Sequence, residues 1–362
     1  MSEIAILQAF EGMPDERRGQ GKRHSLSLCL ALFTLAIAAG NQGFEAIGDW
    51  LKSYSQELRQ LFEVESLPSY STIRRVLLKV DYVDYATRLS QFFGVIPEPG
   101  ETVSLDGKTL KGSYIVQENN PTSEPHPAVI LVTAYVVEKG LILPPLQVEF
   151  GSNEITALPE LIKDLALFGM VFAFDSMNTQ KKTVETIVKT GNHYIAAVKG
   201  NQPTLYDGIQ AQFLPTETFT QVNKGHGRTE KRTVEISKVG KHIASNWTNA
   251  STIIKIQRER KLRNKIERET CYYISDLRES ASQFAERIRG YWGVENRVHY
   301  IRDVTFGEDR SRTRSGFLPS LWAITRNLAI NLYRGAGFTN MAKAQRYCGY
   351  GLKHILALFR MK

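Results

Sequence analysis

The chain has 362 residues, of which 42 % are hydrophobic and 23 % charged. This is the composition of a folded chain of two or three domains and excludes a disordered chain, a collagen and a coiled coil. Lys and Arg number 46 against 37 Asp and Glu, a net charge of +9, which points to an anionic partner, nucleic acid first and an anionic membrane second.

Residues 1–95 predict helices. Ile4, Leu7, Ala9 and Phe10 share a face, and Pro14 ends that helix. A basic loop follows, carrying Arg17, Arg18, Lys22, Arg23 and His24. The apolar run 25–40 is shorter than the roughly 20 residues a membrane span needs. It also lies behind a helical segment, unlike a signal peptide. With Ser25 as N-cap and Gly40 at its end it predicts a buried core helix. A further helix is expected over 44–62. Residues 68–80 carry Ser69 or Ser71 as a cap, a stripe of Ile73, Val76, Leu77 and Val80, and Arg74 and Arg75 beside it. Two readings fit: the reading helix of a helix-turn-helix, or an ordinary amphipathic helix with solvated arginines.

Pro97 and Pro99 mark a linker. Beyond it, strands are expected at 102–106, 128–137, 141–150, 170–174 and 194–198, with helices at 157–167 and 180–190. That alternation predicts an α/β core around a mixed sheet. Residues 206–269 form a basic, Thr/Val/Ile-rich insertion expected to be β-rich, 271–274 a returning strand, 281–303 a long helix, and the remainder basic helices. From Lys224 to Arg268 there are thirteen Lys/Arg against four Glu, and from Arg310 to Lys362 ten against no acid. Such one-sided blocks favour a polyanion over a merely solvated surface. Cys29, Cys271 and Cys348 lie far apart, so neither a disulfide scaffold nor a zinc ribbon is expected, and a reducing, cytoplasmic setting is.

Three carboxylates stand out. Asp106 ends a strand before Gly107, and Asp175 sits where an apolar strand delivers it to its carboxyl end, the edge at which open α/β sheets bind ligands. Singly, they also suit an Asp-Gly turn and a helix cap. Glu295 falls on a helical wheel within the stripe of Phe284, Ile288, Tyr291 and Val298, where a carboxylate is costly unless a metal or an arginine neutralises it. Two strand-borne Asp and a helix-borne Glu suit two hard divalent ions about 4 Å apart over a phosphodiester. Glu308 and Asp309 are rival acids in a polar run expected to be solvated. The Gly107-Lys108-Thr109 run lacks the upstream glycine of a Walker loop, and neither a His-Glu-x-x-His nor a Gly-x-Ser-x-Gly motif occurs. The spacing of His299, Arg302 and Tyr333 mimics a tyrosine recombinase, but such domains lack the strands expected around Asp106 and Asp175.

The stretches DERRGQGKRHSL, PSYSTIRRVL, LDGKTLKGS, SNEITALPELI, FDSMNTQ, AAVKGNQ, HGRTEKR, YYIS, YWGVENRVHYIRDVTFGED and RNLAINLYR run nearly end to end. In them the sequence resembles the DDE transposases of bacterial insertion sequences, of the type that includes the H-repeat-associated proteins. The resemblance implies an RNase H-like mixed sheet with flanking helices, an inserted β-rich unit and an N-terminal all-helical domain. Expected boundaries are 1–95, DNA-binding; 96–205 and 270–335, the two parts of the catalytic core; 206–269, the insertion; and 336–362, a basic tail. The DDE triad falls on Asp106, Asp175 and Glu295, holding two Mg²⁺ (or Mn²⁺) ions. Implied partners are double-stranded DNA, as element ends and as target, with a homodimer on DNA and no membrane.

Family members commonly carry His-Trp where this chain has Tyr291-Trp292, and Trp at Tyr300. In related transposases a Tyr, Arg, Glu, Lys signature occupies this helix; here its first two positions hold Ile288 and Tyr291 and its last holds Arg302. The resemblance gives Arg302 a phosphate-gripping place. Lys199, Asn201 and Gln202 grip phosphate or form a turn. His226, Arg228, Glu230 and Arg232 contact DNA or lie on a solvated strand face. Arg310, Arg312 and Arg314 clamp DNA or only keep the chain soluble. The rival functions are an RNase H-like nuclease that does not join strands and a catalytically silent DNA-binding descendant.

Overall fold

The structure, a computed structural model, describes residues 5–116, 124–225, 228–261 and 265–359. Six helices come first: α1 (Ala5–Ala9), α2 (Leu26–Ala38), α3 (Phe44–Ser53), α4 (Ser55–Phe62), α5 (Tyr70–Leu77) and α6 (Tyr82–Phe93). Ser25 caps α2 by accepting from the Leu28 N–H at 3.1 Å. Every residue from Leu28 to Ala38 is buried, as an all-round apolar helix must be. Gly40, at φ +94°, turns the chain out of it. The expected helix 44–62 is two helices, because Tyr54 leaves the helical conformation between them. Ser69 is the cap of α5.

The strands are β1 (Thr102–Thr109), β2 (Ile130–Val136), β3 (Leu141–Ile142), β4 (Leu146–Gln147), β5 (Val171–Phe174), β6 (His193–Val198), β7 (Glu217–Gly225), β8 (Arg228–Lys238), β9 (Thr252–Lys261) and β10 (Ile266–Ser275). Between them lie α7 (Glu154–Asp164), α8 (Lys181–Lys189), α9 (Pro203–Gln212) and α10 (Lys241–Ala244). The expected strand 141–150 is split into β3 and β4, because Pro144 and Pro145 have no N–H for the ladder. The sheet order is β3-β2-β1-β5-β6-β10-β9-β8-β7, with β4 also on β2. β1, β2 and β3 are antiparallel, whereas β5 and β6 run parallel to β1. This is the RNase H-like mixed sheet. The 206–269 insertion does not stand apart from it: β10 pairs directly with β6, so β7 to β10 continue the same sheet.

After β10 comes α11 (Ala281–Tyr291), then π-helical turns at Glu295–His299 and Ile301–Thr305, then α12 (Leu318–Gly335), α13 (Met341–Gly349) and α14 (Leu352–Leu358). α7 and α8 cover one face of the sheet and α11 the other. The third core joins the N-terminal helices to α12, α13 and α14. Trp322 of α12 stands edge-on to Phe33 and Phe44, and the Tyr85 hydroxyl bridges Thr34 and Thr325 at 2.9 Å each. Among the described residues no helix is long and apolar enough to cross a membrane.

Candidate active site

The pairing of β1 with β5 runs Thr102 to Val171, Val103 to Phe172 and Ser104 to Ala173. Continued two residues, it sets Asp106 beside Asp175 on one face of the sheet. The same face receives α11, where the Ser104 hydroxyl donates to the Tyr291 carbonyl at 3.1 Å. The loop after Asp175 is tightly fastened. Asp175 accepts from the Asn178 N–H at 2.9 Å, and the Thr179 hydroxyl donates to the carbonyls of Asp175 and Ala197.

Burial, then Asp175, Glu154 and Glu295, push the Asp106 carboxyl up to about 7, with the Gly107 N–H opposing. Burial, then Asp106 and Asp175, also raises the Tyr291 hydroxyl. Among the described residues no Lys or Arg forms an ion pair with Asp106 or Asp175. His299 lies 3.4 Å from Asp106, but burial, Arg302 and Lys108 push it down to about 3, so its ring is neutral. The Lys108 ammonium is held by Asp303 at 2.7 Å. Hard carboxylate oxygens with uncompensated charge fit a divalent cation. Among the described residues, however, no group of three or more His, Cys, Asp or Glu is gathered closely enough to hold one.

Glu295 explains that gap. It is exposed instead of lying in the apolar stripe, while His299 is buried. α11 ends at Tyr291 and the regular helix is interrupted at Trp292, before Glu295, so a regular wheel loses phase there. Glu295 still stands near enough to Asp106 to raise its carboxyl.

The other expected site residues are scattered. Arg302 is fully buried: its Nε donates to Glu308 at 2.8 Å, and Arg326 donates to the same carboxylate at 2.9 Å. It has no surface for a phosphate, and Glu308 is buried, not solvated. Asn201 and Gln202 donate to the carbonyls of Ser176 and Thr179, bracing the Asp175 loop, while Lys199 is exposed beside them. Arg232 is half-buried and paired with Glu230. His226 and the Arg228 side chain lie outside the described residues. Arg74 and Arg75 part company. Arg74 reaches the Ser315 hydroxyl at 3.5 Å, whereas Arg75 lines a cleft of about 570 Å³ with Arg17, Arg18, Arg23, His24 and Lys79. Arg310 and Arg312 are exposed; Arg314 donates to the Gly112 carbonyl and covers the Tyr114 ring.

Sequence reasoning passed over Glu154 altogether and weighed His299 only as a recombinase decoy. Glu154 opens α7, and its carboxylate lies where a Cβ on Gly107 would be, 1.9 Å from that position. Burial and then Asp175 raise its carboxyl, with Asn178 opposing.

The family model described as "Transposase DDE domain" matches residues 99–332, and a DDE_Tnp_1-associated model matches residues 7–93. The chain is 30 % identical to "Putative transposase YncI" of Escherichia coli O157:H7, over 92 % of this chain and 88 % of that one. It is 28 % identical to "H repeat-associated putative transposase YhhI" of Escherichia coli K12, over 90 % and 89 % respectively. A cryo-EM structure of a piggyBac transposase synaptic complex with hairpin DNA aligns with 99 % of this chain and 77 % of its own, at 10 % identity and a TM-score of 0.47. With a DDE catalytic-domain model over most of its length, the chain belongs to the DDE transposase family of insertion sequences.

Proposed function

We propose that the protein binds the ends of its own insertion element, cleaves DNA there in a metal-dependent reaction, and joins the freed 3′ ends to target DNA. The observation that carries this reading is the placement of Asp106, on β1, beside Asp175, just past the end of the parallel strand β5, both half-buried and, among the described residues, without a Lys or Arg partner. Asp106 and Asp175 would hold the divalent ions, with Glu295 the third ligand, brought in from the exposed side of its helix. Bound there, two Mg²⁺ or Mn²⁺ ions supply the charge that activates an attacking hydroxyl and steadies the leaving oxygen. The chain's own part is positioning. Thr179, Asn201 and Gln202 fix the Asp175 loop.

DNA would be held mainly through phosphates. The cleft of Arg18, Arg23, Arg75 and Lys79 in residues 1–95 suits the element end. Lys199, Arg310 and Arg312 are exposed for DNA nearer the acids. Two ends have to be brought together, which calls for at least a dimer on DNA. The test is a Mg²⁺-dependent nicking assay on DNA carrying the sequences that flank the protein's gene. Asp106→Asn, Asp175→Asn and Glu295→Gln should each abolish nicking and leave DNA binding intact. Full activity in Glu295→Gln would remove Glu295 from the triad.

A further inference from the structure

We propose that the cleft between the corner joining α2 to α3 and the segment after the π turns is a phosphate site, and that the phosphate it takes belongs to the DNA backbone. The choice of DNA rests on the proposed function; the phosphate chemistry does not.

The cleft, of about 450 Å³, is lined by Gly43, Arg310, Arg312, Trp322 and Arg326 among others, and by no Asp or Glu of the described residues. Arg310 and Arg312 are exposed, and neither forms an ion pair with a described acid. Arg326, in the wall beside them, is only 4 % exposed and shares the single carboxylate of Glu308 with the fully buried Arg302. Two guanidinium groups on one carboxylate leave a positive charge uncompensated where little water reaches it, which is costly until an anion meets it. Trp322 is buried as well, and its indole N–H has no partner among the described residues. An orphaned buried donor in the wall of a cleft suits a bound acceptor.

α3 opens on the same cleft. Its N-cap, Gly43, stands at φ +116° and has no side chain with which to satisfy the first N–H groups of the helix, an end that favours an anion. Glu45, the acid of that first turn, is exposed and does not line the cleft. Donors from α3, from the segment after the π turns and from α12 suit an anion with acceptor oxygens on several sides, as a phosphate has, better than a planar carboxylate.

Two contacts favour DNA as the source of that phosphate. Arg74 of α5 reaches the Ser315 hydroxyl at 3.5 Å, while its neighbour Arg75 lines the basic cleft of Arg18 and Arg23. The chain from Arg312 to Ser315 therefore leads from one cleft to the helix that lines the other, and one polyanion can engage both. Gln42 joins the two walls: its Nε2 donates to the Thr305 carbonyl at 3.1 Å, and its Oε1 lies 2.5 Å from where a Cβ on Gly307 would be. A phosphate clasped here couples the N-terminal helices to the segment that follows Glu295.

The test uses the full chain as wild type, as the Arg310→Gln, Arg312→Gln double variant, and as Arg346→Gln, an exposed arginine of α13 in the same acid-free segment. Inorganic phosphate at about 50 mM, against chloride at equal ionic strength, should raise the wild-type melting temperature by about 2 °C or more. That shift should vanish in the double variant and persist in Arg346→Gln. At constant ionic strength phosphate should also weaken wild-type binding to a short duplex about three-fold or more, and leave the weaker binding of the double variant unmoved. No shift in the wild type, or equal shifts in wild type and double variant, would overturn the site. A shift confined to the wild type and Arg346→Gln, with duplex binding indifferent to phosphate and to the double substitution, would overturn the DNA assignment and leave a site for a free phosphate compound. A wild type stabilised by phosphate that binds no duplex would instead sink the DNA reading of the whole protein, while the melting shifts still decide the cleft.

Discussion

Asp106 illustrates a residue that folding disfavours. Its carboxyl is raised from the ordinary range to about 7 by burial and by three neighbouring acids, so the ionised form is more comfortable in the unfolded chain than in the folded one. Removing the charge relieves the repulsion. Asp106→Asn is therefore expected to raise the melting temperature of the metal-free protein by about 2–4 °C, while abolishing strand cleavage. Addition of Mg²⁺ should raise the wild-type melting temperature and leave that of the variant unmoved; a variant that melts lower in the absence of metal would contradict this. Both aspartates were singled out in the sequence, Asp175 by the apolar strand that delivers it and Asp106 by strand alternation, although β1 does not end at Gly107 as expected but runs on to Thr109 along β2. Glu154 was not. Locally it looks like any first-turn acid, and its place against β1 depends on the absent side chain of Gly107, far back in the chain.

At the scale of elements, the segment after α11 is held by charge. Glu308 lies fully buried between Arg302 and Arg326, tying the second π turn to α12. Beside it, Lys108 of β1 pairs with Asp303, and Lys111 with Asp309. Glu308→Ala would leave two buried guanidinium groups without a counter-charge. It is expected to cost about 3–5 kcal/mol in urea unfolding. Asp309→Ala, at a more exposed pair, should cost about 1 kcal/mol or less; similar costs for the two would contradict the distinction. The sequence revealed a helix here but not its π turns, since nothing in a 3.6-residue pattern signals where a turn widens. The interruption at Trp292, equally unmarked, is why Glu295 was expected inside and is found outside. The burial of Arg302 was equally hidden, because its partners come from beyond its own helix.

At the scale of the molecule, the N-terminal helices close their core only with α12 to α14, at the other end of the chain. Local periodicity showed which faces are apolar but not which face meets which. The basic insertion likewise looked one-sided in sequence. In the fold many of its arginines pair with glutamates: Arg232 with Glu230 along β8, and, across the strands, Arg260 with Glu230, Arg258 with Glu269 and Arg268 with Glu259. The acid-free segment from Arg310 onward has no such partners of its own, and Arg310 and Arg312 stand exposed. Replacing both by Gln is expected to flatten the log–log salt dependence of DNA binding by up to about 1.8, near 0.9 for each phosphate no longer neutralised. An unchanged slope in a folded variant would confine them to keeping the chain soluble.

The central claim is strand joining by the Asp106–Asp175 site. Its most direct test is a short duplex of the element end with a free 3′-hydroxyl, incubated with a supercoiled target plasmid, the protein and Mg²⁺. The wild type should yield plasmid covalently joined to the duplex, and Asp106→Asn, which still binds the duplex, should yield none. Nicked plasmid without joined product would make the protein a nuclease. Binding with neither product would make it a silent DNA-binding descendant.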